Sequence, residues 1–460
     1  MVSPLPAAPR QRDLALGLLA LAGPVIATNM SRTVMSFVDF VMVSRLGAEE
    51  QAAILPARFV VFCAVAFGLG LVSAVNTFVS QSLGKQQLSE CSAYGWQGLY
   101  LALVAGVVFL PAYWLVEPFF RWADHGPVVM QLEVAYTRIG IFGIAPSIAA
   151  AALANFFTAV HRPAIGLGSM VIGNVFNVIA NYALIYGHFG FAAMGIEGAA
   201  WGTLAATILQ VLILIVWILL PRYGRTYGSW HTWRPSPRRL RALAKVGMPA
   251  GAQFGIDILT WALFTIILVG QFGPIQLAAN NICFAFLEFS FMPAVGLGMA
   301  LTAMVGRSIG EGRPDLARQF VSWAMFFNVG YMTTIGLTMA VFRYELPALL
   351  THGATPQAAE VIAAAGPLMI MSAVFQMFDG IGITLNRALQ GAGDTLYSAV
   401  AFLASSVLVL MGGGWLMTVV FHEWASIGPW LAATAHLLTV AALLWVRYRY
   451  GPWERMELGV

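Results

Sequence analysis

Four carboxylates stand inside long apolar runs of this chain: Asp39, Asp257, Glu288 and Asp379. An ionisable side chain at bilayer depth costs a few kcal/mol or more, so such residues are candidates for function by default. Asp39 sits in Phe37-Val38-Asp39-Phe40. In a later apolar run Asn174, Asn177 and Asn181 recur at i, i+3 and i+7, a spacing that puts three amides on one helix face. With Thr203 from the following run, Asp39, Asn177 and Asn181 would offer one carboxylate and several neutral oxygens. That set suits Na⁺, because hard cations prefer oxygen ligands; it suits equally a carboxyl that takes up and releases H⁺ among hydrogen-bonded neighbours. The plainer use of the asparagines is interhelical hydrogen bonding. Arg32 stands seven residues before Asp39 on roughly the same face, where it would either pair with Asp39 or reach into a water-filled cavity.

The second half is richer in acids. Asp257 follows Gln253 by four residues, Asp379 follows Phe375 by four, and Glu288 follows Asn281 by seven. Gathered round one cavity, Asp257, Glu288 and Asp379 would attract an organic cation or pass protons in turn, since close acids in a low dielectric cannot all ionise. The plainer alternative for Glu288 is a solvated residue near the end of a span. Most of the aromatic residues and methionines are packing or lipid-facing residues. Phe375, Phe284 and Trp261, close to the acids in sequence, could line a pocket for flat hydrophobic cations.

The elements that must carry these residues follow from composition. The chain of 460 residues is 59% hydrophobic and 10% charged, against about 25% charged in soluble domains. It is read as an all-α integral membrane protein, because lipid offers backbone polar groups no partner outside a helix or closed barrel. Twelve runs are long enough to span: 14–43, 52–80, 95–117, 134–160, 164–187, 194–220, 243–270, 276–305, 319–342, 359–387, 395–420 and 425–447. The chain also repeats itself. Val79-Ser80-Gln81-Ser82-Leu83-Gly84 returns as Val305-Gly306-Arg307-Ser308-Ile309-Gly310, and Val43-Ser44-Arg45-Leu46-Gly47 as Val269-Gly270-Gln271-Phe272-Gly273, both shifted by 226 residues. Leu204-Ala205-Ala206-Thr207 returns as Leu431-Ala432-Ala433-Thr434, shifted by 227. A near-constant offset of half the chain means two copies of a six-span lobe, the usual build of a secondary transporter. The expected plan is a tail at 1–13, an N-lobe at 14–220, a linker with no role beyond tethering at 221–242, a C-lobe at 243–447 and a tail at 448–460. Pro24 is the expected kink in span one, and Pro249 either a kink or a first-turn proline of span seven.

Charge sets the orientation. With the N-terminus in the cytoplasm, eighteen Lys and Arg, among them Arg307, Arg387 and Arg447, fall in cytoplasmic tails and loops, against Arg45, Arg121 and Arg343 outside. This is the positive-inside pattern of a bacterial inner membrane protein with both termini cytoplasmic. Arg10 and Arg12 precede an apolar run with no small-residue cleavage site, so span one is expected to be retained. The net charge of +4 is then topology, with no nucleic-acid partner implied. Cys63, Cys91 and Cys283 suggest neither disulfide nor metal site. No GxxxxGK[ST] or HExxH motif occurs and no Ser/His/Asp arrangement stands out, the GxSxG string Gly306-Arg307-Ser308-Ile309-Gly310 being part of the repeated motif, so neither an ATP motor nor an enzyme is expected, no cofactor is needed, and an ion gradient of Na⁺ or H⁺ must supply the energy.

Several of these segments resemble a known family. Val38-Asp39 with Met42-Val43-Ser44-Arg45-Leu46-Gly47, Val79-Ser80-Gln81-Ser82-Leu83-Gly84 and its echo, Asn177-Val178-Ile179-Ala180-Asn181-Tyr182, Ile185-Tyr186-Gly187, Gly198-Ala199-Ala200, Ala278-Ala279-Asn280-Asn281 and Gln390-Gly391-Ala392-Gly393-Asp394-Thr395 are similar, in order and spacing across 14–447, to the multidrug and toxin extrusion (MATE) family. The resemblance implies a V-shaped pair of six-helix bundles that works as a monomer and exports organic cations in exchange for Na⁺ or H⁺. It implies that Asp39 is the first-lobe ion site with Asn177, Asn181 and Thr203 as companions. Asp257 falls ten residues after Gly247, where the bacterial cation-exporting branch has a glutamate, and Asp379 matches the acid of that branch's tenth helix. Phe375 replaces a frequent tyrosine and lacks its hydroxyl, Asn181 takes a place that archaeal relatives fill with aspartate, and Arg32 is no part of the pattern. Two rival readings remain. A flippase for lipid-linked saccharides on the same plan should line its cavity with arginines, for which Arg32 and Arg138 are the candidates. A receptor or scaffold without transport would need no acids in both lobes.

Overall fold

The computed structural model describes residues 11–123, 125–351, 355–456 and 458. Most of the expected N-terminal tail, residues 1–10 with Arg10, lies outside them, as do 457, 459 and 460 of the C-terminal tail. Every described element is helical. Eleven helices are long and apolar enough to cross a bilayer, and a bent pair, Pro127–Phe142 with Ile144–Ala159, makes the twelfth span. In chain order the spans are Gln11–Ser44, Ala48–Gly84, Leu88–Phe109, the bent pair, Pro163–Tyr186, Gly195–Leu219, Pro237–Phe272, Pro274–Gly310, Pro314–Val341, Pro356–Ala392, Thr395–Val420 and Ile427–Tyr450. Proline opens five of these twelve spans besides the bent pair: Pro163, Pro237, Pro274, Pro314 and Pro356 each stand in the first turn, where the missing N–H is no loss. The bend of 43° in span four lies at Gly143. Pro146, four residues after Phe142, removes the hydrogen bond that would carry the helix across it.

Three expectations shift. The third span is Leu88–Phe109, because Pro111 interrupts the helix and Ala112–Ala123 forms a separate helix beyond it. Span seven begins at Pro237, inside the expected linker, so Pro249 stands twelve residues into the helix and is not a first-turn residue. The rest of the linker is docked on span three. Trp96 Nε1 donates to Ser229 O (3.0 Å), Ser92 Oγ to Tyr227 O (2.6 Å), and Gln97 bonds both Arg234 O and the Ser236 amide. Arg239 grips Glu90 through two bonds of 2.7 and 3.0 Å. The strap therefore fixes how the C-lobe leaves the N-lobe.

The lobes meet along one half of their length. Spans two and eight cross where the repeated motif lies, and the contact obeys the repeat. A Cβ on Gly84 would sit 2.2 Å from Arg307 O, and one on Gly310 would sit 2.2 Å from Gln81 O; 81 and 307, like 84 and 310, are equivalent positions in the two copies. Only glycine lets the backbones approach so closely. Asn76 Nδ2 bonds Met299 O (3.0 Å), Thr77 Oγ1 bonds Gln390 O (2.8 Å), and Gln81 Nε2 bonds the carbonyls of Gly391 and Ala392. The C-terminal tail adds a tie: Trp453 is buried in the C-lobe and the Leu458 amide donates to Gln81 Oε1 (3.1 Å). All of this lies toward the arginine-rich end. Among the described residues no hydrogen bond joins the lobes at the opposite end, where spans one and seven finish and spans two and eight begin. The polar ties between the lobes are therefore confined to the arginine-rich end.

One seam contact titrates. His161, in the turn between spans four and five, faces Arg307 of the C-lobe, with Nδ1 3.3 Å from its Nη1. Burial, aided by the Arg307 charge, pushes His161 down from 6.5 to about 4. Its lowered value means the unfolded chain binds a proton that the folded seam refuses. The contribution is intact above pH 6.5 and erodes as pH falls from 6.5 towards 4. The melting temperature of the purified protein should fall over that window, and less steeply in His161→Gln; equal slopes would show that His161 takes no part.

Candidate functional site

The N-lobe acid is caged. Asp39, 5% exposed, accepts from Asn181 Nδ2 at 2.7 Å, and the same amide group lies 3.0 Å from Asn177 Oδ1. Asn177 Nδ2 is 3.3 Å from Thr203 Oγ1. Turning the Asn177 amide over places its nitrogen 2.9 Å from Asp39 Oδ1 and its oxygen 3.3 Å from Thr203 Oγ1, so this amide can present either an acceptor or a donor to the cage. Asn181 Oδ1 is buried with no hydrogen-bond partner. A buried acceptor left unmet in a tight polar cluster costs free energy that a bound cation would recover. Spans one, five and six thus bring the four expected N-lobe residues together. Asn174 stands apart from this cage. Its Nδ2 bonds Ser31 O and Oγ at 3.0 and 2.7 Å, pinning span five to span one.

Arg32 does not pair with Asp39. It is exposed and makes no ion pair among the described residues. The cation whose charge acts on Asp39 is Arg58 of span two, whose Nη1 is held by Ser36 O at 2.8 Å. Arg58 is a neighbour that span-by-span reading misses; only the packing of span two on span one brings it there.

In the C-lobe, Asp257 on span seven and Asp379 on span ten lie close enough for the charge of one to act on the other. Both are half-buried. The Trp261 indole stands one turn beyond Asp257 on the same side of the helix. Span seven then widens into a π-helical turn at Phe264–Val269, a departure that commonly marks functional segments. A cation or proton held between the two carboxylates would relieve their repulsion.

Glu288 is not at a span end. It stands fourteen residues into the helix Pro274–Gly310 and is exposed. Eleven residues separate it from Met299, three turns of an ideal helix, which puts it on the face that meets the N-lobe at Asn76. Phe375 needs a correction as a ligand-lining residue: it is 4% exposed and stacks on Trp430 at 5.7 Å in the C-lobe core. Without a hydroxyl it has nothing to direct at an ion, and its ring fills space behind Asp379. Trp261 and Phe284, partly buried and edge-to-face at 5.6 Å, continue that cluster. Among the described residues no three His, Cys, Asp or Glu side chains gather to hold a metal; the Asp39 cage offers oxygens from one carboxylate, two amides and a hydroxyl.

Two six-span lobes related by an internal repeat, tied together at one end and holding carboxylates that make no salt bridge among the described residues, define a membrane transporter of the parallel-repeat class. The family model described as MatE matches residues 24–183 and 257–415, one stretch in each lobe, and the chain belongs to the MatE family. It is 29% identical over 429 residues to the probable multidrug resistance protein NorM of Rhizobium meliloti, covering 93% of this chain and 91% of that one. It is 25% identical over 439 residues to the multidrug resistance protein NorM of Photobacterium profundum, covering 94% of each. Among solved structures, the eukaryotic MATE transporter AtDTX14 aligns with a TM-score of 0.84 at 18% identity over 97% of this chain and 98% of that one. A multidrug resistance MATE family transporter of the MOP superfamily in an outward-facing conformation aligns at 0.83 and 18% identity over 95% and 96%. At such identity these two speak for the fold, the twelve-helix, two-lobe bundle.

Proposed function

We propose that this protein is a secondary antiporter of a bacterial inner membrane, exporting hydrophobic organic cations in exchange for Na⁺ or H⁺, with both termini cytoplasmic and the cleft open to the outside. The observation that carries the reading is that Asp39, Asp257 and Asp379, all within spans, take part in no salt bridge among the described residues, whereas Asp394 at a helix end is locked to Arg447 at 2.7 Å. Carboxylates kept free at this depth are available to an exchangeable cation. Ion and substrate then bias the same equilibrium between open states, and each favours release of the other. The NorM relatives, named for multidrug resistance, support export of small molecules. Against the flippase reading, Arg138 is consumed by Glu117 at 2.9 Å and lies over Tyr113, which removes one of the two arginines that reading calls on. No cofactor is needed, and one copy of the chain contains both sites, so the monomer suffices.

The test is efflux of a fluorescent lipophilic cation from proteoliposomes, with Na⁺ and pH gradients imposed separately. One gradient should accelerate efflux and the other should not. Efflux indifferent to both would end the proposal.

A further inference from the structure

Of the arginines deeper in the spans, Arg138 pairs with Glu117, Arg447 pairs with Asp394, and Arg58 is held by Ser36 O with the charge of Asp39 near it. Arg32 and Arg387 have no such carboxylate among the described residues. Arg32 makes no hydrogen bond, ion pair or ring contact among the described residues, and Arg387 bonds only the neutral Gln390 Oε1, at 3.0 Å. The positive-inside count places Arg387 in a loop; instead span ten continues to Ala392 and carries it inside, half-buried and closely surrounded by protein.

Both sit at the level where the lobes part. Span one meets span eight at Ile26, whose Cα a Cβ on Gly296 would approach to 2.8 Å, and Asn29 Nδ2 reaches Met299 Sδ at 4.0 Å. Arg32 lies three residues beyond Asn29, on the same face and about one turn above that crossing. Arg387 runs its alkyl chain past Gly298, one residue from Met299: a Cβ there would lie 2.6 Å from Arg387 Cγ. A guanidinium with no counter-charge persists at bilayer depth only where water reaches it, so both open on the floor of the cleft. Asp379 stands eight residues above Arg387 on span ten, roughly 12 Å along the helix.

We propose that the cleft floor is an anion-accepting subsite, in which Arg32 and Arg387 receive a carboxylate while the acids above receive an ammonium, so that the protein favours amphoteric substrates carrying both. The proposal rests on the antiporter reading and names its substrate class. Guanidinium donates in a planar fork that matches a carboxylate, and such charge-assisted pairs are the strong hydrogen bonds of a site. A purely cationic ligand gains nothing from the floor.

The experiment uses a rhodamine bearing a free benzoate and its methyl ester, measured for binding to the purified protein and for efflux from proteoliposomes. The free acid should bind more tightly than the ester. Arg32→Gln and Arg387→Gln should each weaken binding of the acid by about tenfold or more while leaving the ester unchanged, and Arg32→Lys should retain most of the affinity for the acid. Equal loss for both dyes, or no loss for the acid, overturns the proposal. If Arg387→Gln does not yield folded protein, Arg32→Gln decides alone, since Arg32 holds nothing in place. If the wild-type protein exports neither dye under either gradient, it is the antiporter reading that fails, whatever the arginine variants show in binding.

Discussion

Asp39→Asn and Asp379→Asn are each expected to abolish gradient-driven export while leaving a folded protein in the membrane. The first substitution is nearly isosteric. Its side-chain oxygen still accepts from Asn181 Nδ2, now at 2.7 Å from Asp39 Oδ1, so the contact that ties span five to span one survives. What disappears is the charge. Two unit charges 4 Å apart interact by about 4 kcal/mol at an effective dielectric of 20, which corresponds to roughly a thousandfold in affinity for a monovalent ion. The second substitution removes one of two mutually repelling carboxylates, so the protein should be no less stable, yet the cleft can no longer hold a shared cation on the C-lobe side. Efflux at background with an unchanged melting temperature is the expected pair of readings. Undiminished efflux in Asp39→Asn would show that its cage is only a structural knot.

The parts of this arrangement that the chain displays openly are those written in local pattern. The six-span repeat is legible because two copies share an offset, and Asn177, Asn181 and Asp39 are legible because helical spacing and desolvation energy single them out. What packing decides is hidden. Arg58 reaches the neighbourhood of Asp39 only because spans one and two pack together. Phe375 is one turn before Asp379, yet the stacking partner that takes it out of the cleft, Trp430, comes from span twelve. Arg387 has a local signal that the charge pattern overrides. Gly393 adopts φ of +90°, a conformation that favours glycine and ends helices, and it marks Ala392 as the last helical residue. Counting back from that stop places Arg387 within the span. The docked linker has a weaker signal, its tryptophans and serines, which a tether would not require and which bond the linker to the end of span six and to span three.

Gly310→Val is expected to be as damaging to transport as loss of an acid, by a different route. The added Cβ would lie 2.2 Å from Gln81 O, a backbone atom with no rotamer to yield, so spans two and eight must separate. Separation also draws Gln81 from Gly391 and Ala392, and from the Leu458 amide, because one side chain carries all of these ties. Overpacking at a tight crossing costs about 1–3 kcal/mol or more, a bias large enough to invert an equilibrium between states that differ by a few kcal/mol. The closed seam carries the polar ties of spans two, eight and ten in the form seen here. A protein unable to close it should lose the state open at the far end and stall in the cycle. Gly84→Val meets the mirror-related carbonyl of Arg307 and should act in the same direction. The two act on one seam, so the double variant should show less than the sum. Hydrogen exchange over residues 77–84 should rise in either variant as efflux falls at least tenfold. Exchange unchanged in both, with efflux retained, would mean that the glycine crossing is only close packing and that the lobes part elsewhere.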